Sequence, residues 1–437
     1  MPSLIAYSQP LGRRKAKHLL RRTCFNFSPE KIDEFANLTP SQALWSLSAP
    51  SVRKLYEPID PKGEDWDDMH WTSSTKDPGD FTRQGAKRVS VAGWWWYNAF
   101  NEITLEHKLT LFLHTCFTTS KDSGTGTSTH FYDHLRLLQK YAFGDLKTLA
   151  NKITIDNAML LYLDNNVNNR WNPNENYARE FLELFTILKG EQKGDGDYTN
   201  YTEHDVQMAA QVFSGFKNKN DRSIIDAETG LPMGYIKVNH HVQDDKTFSA
   251  AFGNATITGG SDVASILQEH EDFVNMIFSQ DATAVSYVRK LYRFFVKSEW
   301  DSSVETDIIN PLAQDLRDNG FQLLPVLKKL LESEHFYDEN FWGAQIQDPV
   351  FHTLGLIRNS GHKDSIFPER YLQQRIQHTG MVLFYPPDVN GWAGHRAWIN
   401  SITLPLRKLY ATRFFDPKID SRLKFETNLT KLIKDLP

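Results

Sequence analysis

Apolar residues recur at helical spacing along almost the whole chain, while strand-like text is confined to one short region. That periodicity restricts the fold to a mainly α class. The start signals agree with it. "SPEKIDEFANL" offers Ser28 as an N-cap with Pro29 in the first turn, "TPSQALWSL" repeats the pattern at Thr39, and Thr202 with Asp205 opens a further helix. "RRKAKHLLRRTCF" predicts a basic helix near the N-terminus, and "EHKLTLFLHTCF" places Leu105, Leu109, Phe112 and Cys116 on one face with His107 and His114 roughly opposite. "DATAVSYVRKLYRFFV" and "FQLLPVLKKLLESEHFY" continue the helical text toward the C-terminus.

Two regions break the pattern. Residues 49–85 are rich in Pro, Gly, Asp and Ser and too long for a routine connection, so they are expected to form an irregular excursion or lid. Residues 234–259, with "GYIKVN", "KTFSAAF" and "NATITG", carry a small β-hairpin. No fixed-period repeat is visible, and the 437 residues are expected to form one large multi-helix domain, 1–437.

Composition narrows the function classes. With 40% hydrophobic and 24% charged residues the chain falls among soluble globular proteins. A net charge of −5 argues against non-specific nucleic-acid binding. Cys24 and Cys116 are the whole cysteine complement, which removes a disulfide framework and reads as two core thiols. The first twenty residues lack the apolar stretch of a secretory signal, and no run of about 18 apolar residues exists to span a membrane. A cytoplasmic location is therefore expected. The 11 Trp serve core packing first and a ligand surface second.

The most pointed stretch is "WNPNENYAREFLELFTI". Asn172, Pro173 and Glu175 have the order of a helix start with a capping box. At 100° per residue Tyr177, Phe181, Leu184, Phe185 and Leu188 share an apolar face, while Glu175, Arg179 and Glu183 form an i, i+4, i+8 stripe. Such a stripe suits either a solvated salt-bridge ladder or a buried network at a site.

"NPNENYAREFLELFT" resembles the most distinctive motif of a bacterial family catalogued as domain of unknown function 1800. "AKHLLRRTCF", "EHKLTLFLHTCFTTS", "DNAMLLYLDN", "YTEHDVQMAAQVFSGF", "HVQDDKTF" and "PPDVNGWAGHRAWIN" resemble its other motifs in order, over about residues 11–408. The resemblance implies a shared polar site. His114, Glu175, Arg179 and Glu183 are its catalytic candidates, and His18, Arg21, His241, Lys246, Asn390 and Trp392 its substrate-binding candidates, with Glu180 and Asp205 also matching. The chain departs from the family pattern at His107, Cys116, Val242 and Asp244.

The glutamates beside a histidine suit a metal-assisted hydrolase or transferase holding a divalent metal. Paired carboxylates also suit metal-free acid–base chemistry. His130 and His134 have the i, i+4 spacing of a metal pair, although no His-Glu-x-x-His helix or phosphate loop is present. The alternative implied by the resemblance is a non-catalytic role. The family's genes commonly neighbour those of domain of unknown function 1501, whose members look like sulfatase/phosphatase-fold proteins. This chain would then be their partner or export companion.

Overall fold

A computed structural model describes residues 3–48, 81–120, 124–359 and 369–415. It is mainly α. The expected caps are realised: the Ser28 side chain accepts from the Lys31 amide ahead of Pro29–Ala36, and capping boxes at Thr39–Gln42 and Thr202–Asp205 open Pro40–Leu47 and Glu203–Val212. Each satisfies backbone donors that a helix start leaves orphaned.

Packing follows the apolar faces. The helix Gly12–Thr23 lies on Pro29–Ala36, Glu106–Cys116 lies on Ser128–Lys140, and Asp281–Phe295 lies on Asn310–Asp318. A hydrophobic cluster joins elements from Leu11 to Tyr410. Aromatic edges form much of it: Trp95 meets Phe25 and Phe384 edge-on at 5.3 and 5.0 Å, and Tyr177 meets Phe213 at 4.9 Å. Trp94, Trp95 and Trp96 are all buried, so these tryptophans are core. Both cysteines are buried free thiols, and burial pushes Cys24 up to about 12 and Cys116 to about 11.

Among the described residues, strands occur as three two-stranded antiparallel pairs. Lys246–Thr247 with Thr256–Ile257 is the hairpin expected within 234–259. Tyr235–Ile236, in the same region, pairs back to Phe216–Lys217 instead. Gln192–Gly194 with Asp197–Tyr198 has no counterpart in the sequence reading, because ladders of two or three residues leave no periodic trace. Of the expected excursion over 49–85, residues 49–80 lie outside the described residues. Phe81 already begins the helix Phe81–Asn101, so residues 81–85 of that span are helical.

The stretch around Glu175 departs from its expected local geometry. Asn172 does not cap. It closes a turn with Asn169, the Asn168 side chain takes the Asn174 amide, and the helix starts at Asn176. After Glu180 the chain widens into a π-helical turn, Phe181–Phe185, where the Thr186 hydroxyl donates to the Phe181 carbonyl at 2.6 Å. The wider turn buries Leu182 beside Phe181 and Phe185 and leaves Leu184 half-buried. No helix among the described residues is long and apolar enough to cross a membrane.

Candidate functional site: a cationic cavity

Two helices carry basic faces. In Gly12–Thr23, Ala16, Leu19, Leu20 and Thr23 enter the core, which leaves Arg14, Lys17, His18, Arg21 and Arg22 on the remaining face at i, i+3, i+4, i+7 and i+8. In Asp281–Phe295, Ala284, Tyr287, Val288 and Leu291 are buried, and Ser286, Arg289, Lys290 and Arg293 follow the same spacing. The Gln345 side chain ties the two together. It accepts from the Arg22 guanidinium and donates to the carbonyls of Arg293 and Phe294 at 2.9 and 3.0 Å.

Both faces line one open cavity of about 760 Å³. Lys108, Leu111, Thr115 and Cys116 come from Glu106–Cys116, Leu184 and Leu188 from the π-helical turn and the loop after it, and Met381, Asn390, Trp392 and Trp398 from the C-terminal segment. Arg14, Lys17, Arg21, Arg22, Lys108, Arg289, Lys290 and Arg293 thus face it with Asp348 as the one lining carboxylate. On a chain whose net charge is −5, this is a local reversal of sign.

Most of that charge is not neutralised by carboxylates. Arg14 reaches Glu339 at 3.6 Å, Arg289 pairs with Glu305, and Lys108 stands 4.0 Å from Asp348. Among the described residues Lys17, Arg21, Arg22, Lys290 and Arg293 have no carboxylate partner. Lys290 donates instead to the Leu184 carbonyl at 2.6 Å. The buried Lys108 ammonium sits over Phe25 at 4.0 Å and Phe351 at 4.5 Å, ring faces that favour a cation, yet burial still lowers it to about 8. Burial, then the Arg21 charge, lowers Arg22 to about 10.

Unpartnered donors and acceptors complete the lining. His18 is 8% exposed, its Nε2 has no partner, and its ring lies against Phe336 at 4.6 Å. Burial and then Arg22 push it down to about 3, so it is neutral. Ser286 Oγ and Trp342 Nε1 are likewise buried without partners. Groups of this kind cost stability unless something arrives to bond them.

Of the residues singled out in the sequence, His18, Arg21, Asn390 and Trp392 line this cavity; His114, Glu175, Arg179 and Glu183 do not. Arg179 pairs with Glu175 at 3.0 Å and with Glu203, and these side chains are 33%, 37% and 40% exposed. This is the solvated-ladder alternative, worth at most about 1 kcal/mol per pair. Glu183 bonds Lys189 and the Tyr201 hydroxyl. Burial and then the Glu183 charge raise Glu180. Asp205 holds the Ser249 amide and hydroxyl, both at 2.7 Å.

His114 is fully buried against Phe384, with His134 and Trp392 near it. His134 turns Nδ1 to Asp156 at 2.9 Å, while both ring nitrogens of His130 lack partners. His241 and Lys246 converge on Glu269, enclosed and away from the cavity. Among the described residues no three His, Cys, Asp or Glu side chains are grouped so as to hold a metal ion.

Sequence reasoning missed Lys17, Arg22, Lys108, Lys290 and Arg293. For the first helix the signal was present, with Arg14, Lys17, Arg21 and Arg22 at i, i+3, i+7 and i+8; Arg289, Lys290 and Arg293 give a shorter one, and Lys108 stands alone on an apolar helix.

No curated protein and no solved structure matches the chain. A family profile described as a protein of unknown function matches residues 18–436, from the cavity's own His18 through nearly the whole sequence, and the chain accordingly belongs to the DUF1800 family.

Proposed function

We propose that this protein binds an anionic ligand in the cavity between the two basic helices. The observation that carries the reading is the set of five cations, Lys17, Arg21, Arg22, Lys290 and Arg293, that line one cavity without a carboxylate partner among the described residues. Unneutralised cations this close repel one another, and a bound polyanion converts that repulsion into attraction. Guanidinium groups also match the fork geometry of phosphate and sulfate oxygens. A hydrolase or transferase acting on an anionic ester would hold its ester group here, with the neutral His18 Nε2 as an unpartnered hydrogen-bonding group beside it.

The test is calorimetric titration of the full chain with tripolyphosphate at fixed ionic strength. Arg21→Ala should weaken binding roughly tenfold or more, as losing one charge-assisted contact does. Arg13→Ala, on the same helix but paired outward with Asp33, should leave it unchanged. Equal binding by the parent and Arg21→Ala, or no binding of tripolyphosphate or any other polyanion by the parent, would refute the reading.

A further inference from the structure

The cations are spread along two helices rather than gathered at a point. Arg14 to Arg22 spans eight helical steps, about 12 Å, and Arg289 to Arg293 spans four, about 6 Å. A single tetrahedral anion touches one station on such a track. The Gln345 bridge from Arg22 to the Arg293 and Phe294 carbonyls joins the two tracks at one end, so a chain lying in the cavity reaches both.

The rest of the lining selects what connects the charges. Asp348, Gln347 and Asn390 supply acceptor oxygens inside a cationic cavity. A bare polyphosphate has no hydroxyl to give them, whereas a polyol does. Trp342, Trp392 and Phe294 add ring surface that a polyphosphate cannot cover and the C–H faces of sugar rings can. The Arg14 guanidinium already sits over one face of the Trp342 ring at 4.6 Å, which leaves Trp392 and Phe294 as the main ring surface for a ligand.

Resting on the anion-binding reading above, we infer that the ligand is a short acidic oligosaccharide whose sulfate or phosphate esters repeat along the chain and engage both basic helices at once.

Calorimetry on the full chain tests this with tetrasaccharides bearing sulfate or phosphate esters, the matching monosaccharide esters, the neutral tetrasaccharide, tripolyphosphate and an oligothymidylate. A charged tetrasaccharide should bind about 100-fold more tightly than its monosaccharide ester, the gain expected when a second contact becomes intramolecular. Arg21→Ala and Arg293→Ala should each weaken the tetrasaccharide, whereas the monosaccharide ester should respond to only one of them. The two ester sources separate by pH. Phosphate ester binding should strengthen as pH rises through about 6, where the second proton leaves, and sulfate ester binding should stay flat.

Equal affinity for monosaccharide and tetrasaccharide, or tighter binding of tripolyphosphate or oligothymidylate, overturns this inference and leaves the anion-binding reading standing. Failure of every anion to bind overturns both.

Discussion

Replacing Glu269 by alanine is expected to destabilise the protein by about 3–5 kcal/mol, as removing one partner of a buried charge pair does. Glu269 comes from the helix Val263–Phe278, and its side chain is wholly enclosed. One carboxylate oxygen accepts from the Gly260 amide at 2.7 Å and stands 2.9 Å from His241 Nε2. The other lies 2.7 Å from the Lys246 ammonium, an ion pair rather than an aligned hydrogen bond.

Lys246 is itself fully buried. Burial lowers its pKa, and the Glu269 charge opposes that shift. The alanine variant would leave the ammonium with the Val242 carbonyl and only the more distant charges of Asp244 and Asp245. No side chain can be added at Gly260, where a Cβ would lie 2.4 Å from the Ile266 amide, so the loop cannot supply a substitute. Chemical denaturation of the two proteins measures the difference, and a loss below about 1 kcal/mol, the value of an exposed pair, would contradict this account.

Acid should destabilise the protein by a comparable amount through its buried histidines. Burial pushes His114 and His270 each down to about 3, with the neighbouring His134 adding to the shift of His114. In the unfolded chain both return to about 6.5. Below that value the unfolded state binds protons that the folded state refuses. The stability is therefore complete above pH 6.5 and is lost progressively as pH falls toward 3. At pH 5 each group contributes a loss of about 2 kcal/mol, together about 4 kcal/mol. Denaturant midpoints at pH 7 and pH 5 check this. His270, between Phe213 and Phe216 with Nε2 unpartnered, offers a direct control: His270→Phe should remove about 2 kcal/mol of the pH dependence. Equal stability at both pH values would show that the buried histidines protonate freely.

How much of this was legible in the sequence depended on whether the signal was local. Ser28, Thr39 and Thr202 read correctly as caps because a cap is settled within four residues. Asn172 read wrongly for a tertiary reason, since Asn168 captures the backbone that a cap at 172 would have organised. The 100° wheel failed after Glu180 because the π-helical turn inserts extra rotation that no residue preference announces. Each basic helix face could be read alone. That the faces meet could not, because Arg22 and Arg293 lie 271 residues apart in the sequence and only the fold places Gln345 between them. The glutamates around Arg179 drew attention through their pattern, and the structure gives that pattern to a partly solvated ladder instead.

The central claim, that the cavity between these helices is an anion site, is tested most directly by locating an anion. Tungstate is a tetrahedral dianion with strong anomalous scattering, and crystals of the full chain can be soaked with it. The account predicts an anomalous peak inside the cavity, bounded by Arg21, Arg22, Lys290 and Arg293 and lost in a crystal of Arg22→Ala. Peaks confined to the outer surface, with the cavity empty, would contradict it.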